Sequence, residues 1–351
     1  MLATITHIVP ITSIQRTRLL PVPGRVVVRK GQKVSPTDVI AEANLAPEHL
    51  LLDIARGLGL SGEDADRFIQ HQAGDQVSEG DVIAGPVGFG RRVVRAPSAG
   101  KVVLAGSGQV LLEVESRPYE IRAGFSGIVS ELIPDRGAIL ETTGALIQGV
   151  WGNGRIDYGL LNVQARTPDD VITADRLDVS LRGAVVLAGI CTDTEVLNTA
   201  GDLPLRGLIL ASMNSSLVPL ALKMRYPIII LEGFGQIPMN SIAYKLISTN
   251  ARREVALNGE TWNRYESTRP EIIIQLPAQG DLPTTTETDM FKTNQQVRVL
   301  CAPYRSKIGT LIAVRSGLTV LPNGTRVPAA DIHLEDGENV ILPLADLEVL
   351  E

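Results

Sequence analysis

The sequence predicts a multi-domain chain, β-rich plus α/β, with the α/β layer in the middle. Two stretches near the N-terminus repeat one another at a turn and its following strand. Five continuous apolar runs alternate with helical segments over 155–280. The composition holds 33 Gly and 21 Pro against 4% aromatics, which suits short strands, tight turns and cores of Val, Ile and Leu. At 351 residues and 44% hydrophobic, the chain has room for two to four domains of about 100–150 residues. Disorder is excluded as its main state.

The repeat comes first. Residues 31–42 read GQKVSPTDVIAE and residues 74–85 read GDQVSEGDVIAG, with Gly31/Gly74, Val34/Val77, Ser35/Ser78 and Asp38/Asp81 among seven identities in twelve. A second pair follows, RAPSAGKVV (95–103) against RAGFSGIVS (122–130). Each unit is a strand, a glycine-bearing turn and a strand, the glycines supplying the corner and the Val and Ile facing inward. The pairing of these motifs resembles the barrel-sandwich (hammerhead) fold of biotinyl and lipoyl carrier domains, over roughly residues 19–150. That resemblance implies a fold and not the carrier's job. A carrier presents its modified Lys at a hairpin tip, and no such tripeptide stands at a hairpin here. Lys101 follows the turn glycine instead, and Lys223-Met224 falls in an expected helix elsewhere. A module over 1–150 is therefore expected, with a helical hairpin inserted at 48–69. Leu51, Ile54, Ala55 and Leu58 recur there at helical spacing, Gly57 and Gly59 close the first helix, and Ser61 caps a second. The second helix, SGEDADRFI, is acidic where a DNA-reading helix would meet phosphates.

Over 155–280 the runs GAVVLAG, GLILA, PIIIL, EVAL and EIIIQL are continuous rather than alternating, so burial on both faces is expected. The helical stretches 192–200, 216–224 and 240–248 separate them, which predicts a layered domain with a mostly parallel or mixed sheet. The stretch RGLILASMNSSLVPLALKMRYPIII resembles the swivelling phosphohistidine domain of pyruvate phosphate dikinase and the phosphotransferase-system enzymes. Ser215 falls on the family's Ser, but Ser216 stands where the family has its phosphate-accepting His, and Ser212-Met213 replace its Gly-Gly pair. The resemblance thus implies the fold without the phosphotransfer, since Ser without a base is no substitute nucleophile. Ser212, Asn214, Ser215 and Ser216 form the candidate anion-binding turn, because backbone N–H groups and hydroxyls at a helix start can hold phosphate or carboxylate. Plain N-capping by Asn214 or Ser215 is the competing expectation. A second strand-end loop, LEGFGQIP (231–238), holds Glu232 and no nucleotide motif.

Residues 281–296 are expected to be a linker, and 297–351 a closing barrel. The strand at Val297–Val299, the turn at 303–307, Gly309 and the strand at 310–314 resemble a KOW-type SH3-like barrel. Such barrels occur in transcription elongation factors and some ribosomal proteins; the family's usual Gly near 302 is Ala302 here. Charge divides this segment in two. Residues 297–330 carry Arg298, Arg305, Lys307, Arg315 and Arg326 without an acid, while 331–351 carry seven acids without a Lys or Arg. With Tyr304 beside Arg305, these residues are the candidate docking face for a protein partner, or for nucleic acid as the alternative.

No catalytic residue, metal site or cofactor is expected. The four His are scattered, and neither HExxH nor GxSxG occurs. Cys191 and Cys301 stand far apart along the chain, with no metal-ligand spacing. They are expected to be small hydrophobes in a reducing compartment. The net charge of −6 makes the whole molecule no magnet for nucleic acid or anionic lipid. The N-terminal residues lack an unbroken apolar run, and no stretch reaches the roughly 18–20 apolar residues of a membrane span. The chain is therefore expected to be a cytoplasmic, non-catalytic binding or scaffold protein with a protein partner and no membrane role. A nucleic-acid factor and a small-anion sensor or enzyme at Ser212–Ser216 stand as alternatives.

Overall fold

The computed structural model describes residues 2–45, 47–114, 118–263, 268–277, 282 and 288–351. Strand far exceeds helix, 47% against 13%, in several separate sheets. The fold is β-rich, and among the described residues no helix is long and apolar enough to cross a membrane. The chain packs as two units. One comprises residues 1–18, 28–40 and 122–351; the other comprises 19–27 and 41–121.

The larger unit is built on an eleven-stranded mixed sheet. Ile156–Val163, Ala184–Cys191, Gly207–Met213 and Ile228–Phe234 run parallel as neighbours. Glu254–Asn258, Glu271–Gln275, Gly137–Gln148, Gly127–Ile133 and Lys33–Val34 continue the sheet antiparallel. The continuous apolar runs are buried on both faces, and the side chains alternate between two cores as strand geometry requires. Val185, Leu187, Ile209 and Ile229 pack on one side with Ala243 and Ile247 of helix Ser241–Thr249. Val186, Ala188, Leu208 and Leu210 pack on the other with Val196, Leu197 and Ala200 of helix Thr194–Asp202. Both helices start where an Asx side chain accepts the orphan backbone N–H groups: Asp193 from Glu195, and Asn240 from Ile242 and Ala243.

The same unit holds a seven-stranded sheet that gathers both ends of the sequence. Leu2–Thr6 lies parallel to Leu347–Leu350 and antiparallel to Thr288–Met290. Gln296–Val299, Ile308–Val314, Ala329–Leu334 and Asn339–Pro343 complete it. Of the expected linker, 281 and 283–287 lie outside the described residues, while Thr288–Met290 and Gln296 are strand rather than linker.

In the smaller unit, Glu48–Asp53, Gln109–Val114, Gly100–Gly106 and Gln76–Val77 make a four-stranded sheet. The helical hairpin expected over 48–69 is shorter than that span. Residues 48–53 are a strand, with Leu50 and Leu52 half-buried and Leu51 exposed, so a period of two overrides the helical spacing. Ile54–Leu58 and Gly62–Asp66 are the helices, the first closed by Gly59 in the left-handed region and the second capped by Ser61.

The repeat survives as matched hydrogen bonds, one copy within each unit. Gly31 N–H donates to Val129 O at 2.7 Å, as Gly74 N–H does to Val102 O at 2.7 Å. Asp38 accepts from the Ser35 N–H, and Asp81 from the Ser78 N–H. Val34 faces Gly127 as Val77 faces Gly100, and both return strands bulge shortly after that glycine. The glycines are there because the neighbouring strand is too close for a side chain. A Cβ would stand 2.6 Å from Glu141 O at Gly127, and 2.3 Å from Glu113 O at Gly100. Gly100→Ala and Gly127→Ala should each cost about 1–3 kcal/mol, read from urea midpoints; wild-type stability in both would show that the strands are not so close.

Candidate functional site

Two side chains of the turn Ser212–Ser216 are engaged by its own fold. Ser212 is fully buried, and its Oγ accepts the N–H of Ile237 at 2.9 Å. Asn214 Oδ1 accepts the N–H of Ser216 at 3.2 Å, capping a single 3-10 turn over Ser215–Leu217. The helix that follows, Val218–Ala221, has four residues, too few to build the field an anion would feel. Asn214 thus caps and Ser212 is committed to Ile237, while Ser215 and Ser216 of the expected anion-binding turn lie exposed.

Arg298 is not a docking residue either. It is 3% exposed and lies between two buried carboxylates. Its Nη1 meets Glu232 Oε2 at 2.5 Å, and its Nη2 meets Glu348 Oε2 at 2.7 Å. Arg269 Nη2 reaches the other oxygen of Glu348 at 3.3 Å, and Thr6 Oγ donates to that same oxygen. Glu232 also accepts the backbone N–H of Asn240 at 2.9 Å, at the start of helix Ser241–Thr249. Burial by itself would lower the Arg298 pKa, but Glu348 and Glu232 more than reverse that and raise it. Burial would raise Glu348, and the Arg298 and Arg269 guanidiniums hold it below the ordinary carboxylate value instead.

Three more of the expected docking residues pair with the segment's acidic half at the surface. Lys307 Nζ pairs with Asp336 at 2.6 Å, Arg315 with Asp331 at 2.8 Å, and Tyr304 Oη donates to Glu338 at 2.8 Å. The two charge blocks thus neutralise one another across adjacent strands, which removes most of the expected basic face. Lys307 and Arg315 are exposed but paired, whereas Arg305 and Arg326 are exposed on a turn and on a separate small hairpin. Arg305 lines a cleft of about 450 Å³ with Asn240 and Asp336.

Cys191 is buried, and burial pushes its thiol up to about 11, so it is an inert hydrophobe at neutral pH. Among the described residues no three His, Cys, Asp or Glu side chains gather as a metal site requires.

An exposed feature absent from the sequence-derived candidates is the hairpin Val82–Val87/Arg92–Arg95 of the smaller unit. Phe89 at its tip is fully exposed, between Gly88 and Gly90. Residues 82–112 carry Arg91, Arg92, Arg95 and Lys101, all exposed, and no acid. The sequence signal was this acid-free run around Gly-Phe-Gly.

Arg298→Met leaves two buried carboxylates short of a partner and should cost about 3–5 kcal/mol in urea denaturation; Arg298→Met with Glu348→Gln should recover part of it. Since the folded pKa of Glu348 is depressed, its contribution is complete at neutral pH. It is lost as pH falls below about 4.5. Stability measured from about pH 7 to pH 3 should therefore drop less steeply in Glu348→Gln than in the wild type; equal slopes would remove the network from the acid response. No known protein-family model matches this chain, and no curated protein matches it.

Proposed function

We propose that this chain is a cytoplasmic, non-catalytic binding protein of scaffold type, built from barrel-sandwich-like, swivelling-like and KOW-like modules. Its principal contact is the Phe89 hairpin, docking on a protein partner with an apolar pocket rimmed by acids. The observation that carries this is the fully exposed phenyl ring of Phe89 beside Arg91, Arg92 and Arg95, in a molecule of net charge −6. A ring left in water forgoes about 1.5–3 kcal/mol that a partner's pocket would return. An aromatic anchor with adjacent arginines is the composition of interface hot spots. Gly88 and Gly90 keep the tip narrow enough to enter a pocket.

Nucleic acid is the second reading, and it moves from the C-terminal segment to this hairpin. Lys307 and Arg315 are neutralised by Asp336 and Asp331, whereas Phe89 is free to stack on a base with arginines beside it.

Replacing Phe89 with a photoreactive phenylalanine and irradiating the expressing cells tests both. The expected result is a discrete protein adduct that Arg91→Glu/Arg92→Glu removes. Adducts to RNA or DNA, weakening with salt in a titration, would replace the first reading with the second. A lack of any adduct would sink the hairpin as a contact.

A further inference from the structure

We infer that the chain self-associates through strand Glu48–Asp53 of the smaller unit, two molecules joining edge to edge as antiparallel strands about a two-fold axis between their Leu51 residues. The strand is the outer edge of its four-stranded sheet. It pairs with Gln109–Val114 on one side, and among the described residues no strand pairs with the other. Natural edges are usually blunted by a Lys, a Pro, a bulge or a short length. The opposite edge of this sheet is blunt in that way, being the two residues Gln76–Val77. Glu48–Asp53 is six residues long, keeps an unbroken register with its neighbour, and has Leu50, Leu51 and Leu52 at its centre.

The backbone decides which groups this edge offers. The Ile54 N–H donates to Gly108 O at 2.9 Å. Along an antiparallel ladder the even-numbered residues therefore bond to Gln109–Val114, and the odd-numbered ones, His49, Leu51 and Asp53, direct their N–H and C=O groups outward. The Asp53 C=O serves the start of helix Ile54–Leu58, as that of an N-cap does. With Leu51 opposite Leu51, the two leucines exchange both bonds. Each Asp53 N–H then reaches the His49 C=O of the other molecule, which makes four backbone bonds across the join.

The side chains select that register, and they select a second molecule of this chain as the occupant. One face of the strand carries His49, Leu51 and Asp53. In this register Leu51, 61% exposed in the single chain, covers Leu51 of the other molecule. Each His49 faces an Asp53 on either side of that apolar contact, a complementary cross-strand pair. The neighbouring registers of the same hydrogen-bond phase set His49 or Asp53 against Leu51, or against its own counterpart. Asp53 gives Oδ1 to the Arg56 N–H at 2.9 Å, and His49 Nε2 lies 3.6 Å from Glu113. Asp53 Oδ2 and His49 Nδ1 are left for the join. On the other face Leu50 meets Leu52 of the second molecule, both half-buried against their own core. Leu51 also ends an apolar row, opposite Leu111, which is opposite Leu104. The join makes this one row of leucines running through two sheets.

Sedimentation equilibrium of the full chain tests this, from about 1 to 200 μM, the range that suits a small interface. The wild-type mass should rise from one chain toward two. Leu51→Lys sets two ammonium groups opposite each other at an exposed position and should weaken association about tenfold or more, with an unchanged circular dichroism spectrum. His49→Asp should weaken it too, by facing Asp53 with a carboxylate. Adding Asp53→Asn, which still caps the helix, should restore part of the loss. Under mild oxidation Leu51→Cys should give a disulfide-linked dimer beyond the wild-type level, because its two Cα atoms are about 5.5 Å apart across the join. Glu48→Cys should not, its two copies lying about 20 Å apart along the strands. A wild type that stays monomeric throughout overturns the inference and leaves the edge to a strand of a different protein. Folded Leu51→Lys that associates as the wild type does, or cross-linking as ready at 48 as at 51, overturns it as well.

Discussion

The guanidinium of Arg298 lies buried between Glu232, at the end of a strand of the mixed sheet, and Glu348, on the last strand of the seven-stranded sheet. Removing such groups from water costs several kcal/mol per ion, and pairing offsets this only with good geometry and few unmet hydrogen bonds. Both conditions hold here. Arg298 meets both acids, Arg269 and Thr6 hold the second oxygen of Glu348, and the Asn240 N–H satisfies Glu232. Two arginines face two carboxylates, so the cluster is close to neutral. Its charged members come from residues 232, 269, 298 and 348, with Thr6 as a fifth partner, and the site can be neutral only when those four segments are in register. That makes the cluster a check on the arrangement of the whole unit rather than a large source of net stability.

Geometry explains why some of the fold could be read from the sequence and some could not. Strand and helix in the 184–258 region are written locally, in continuous apolar runs and Asx caps, and the observed elements fall close to the expected bounds except for the helix expected at 216–224, which is only Val218–Ala221. The repeat was also legible, since a shared Gly, Val, Ser and Asp at fixed spacing dictates one set of backbone hydrogen bonds. Residues 48–53 went the other way. Leu51 reads as helix by its spacing with Ile54, Ala55 and Leu58, yet pairing with Gln109–Val114 decided the matter.

The site was less legible, and the reason is electrostatic. Five cations without an acid over 297–330 look like a surface patch when read in one dimension. In three dimensions the acidic segment that follows folds back antiparallel on them, and Lys307, Arg315 and Arg298 each find a carboxylate there. The Ser212–Ser216 turn is ambiguous for another reason: the residue types that hold an anion are the same types that cap a helix.

The pairing of Leu2–Thr6 with Leu347–Leu350 has a consequence for synthesis on the ribosome. Leu2–Thr6 is made well over three hundred residues before its parallel partner Leu347–Leu350. At about 5–20 residues per second that is a wait of roughly 20 to 70 seconds. Throughout it, the LATIT strand lacks its lasting neighbours and has an open edge of the kind that invites pairing with other chains. Completion of the seven-stranded sheet thus waits for Leu347–Leu350, and the nascent chain has reason to engage a chaperone early.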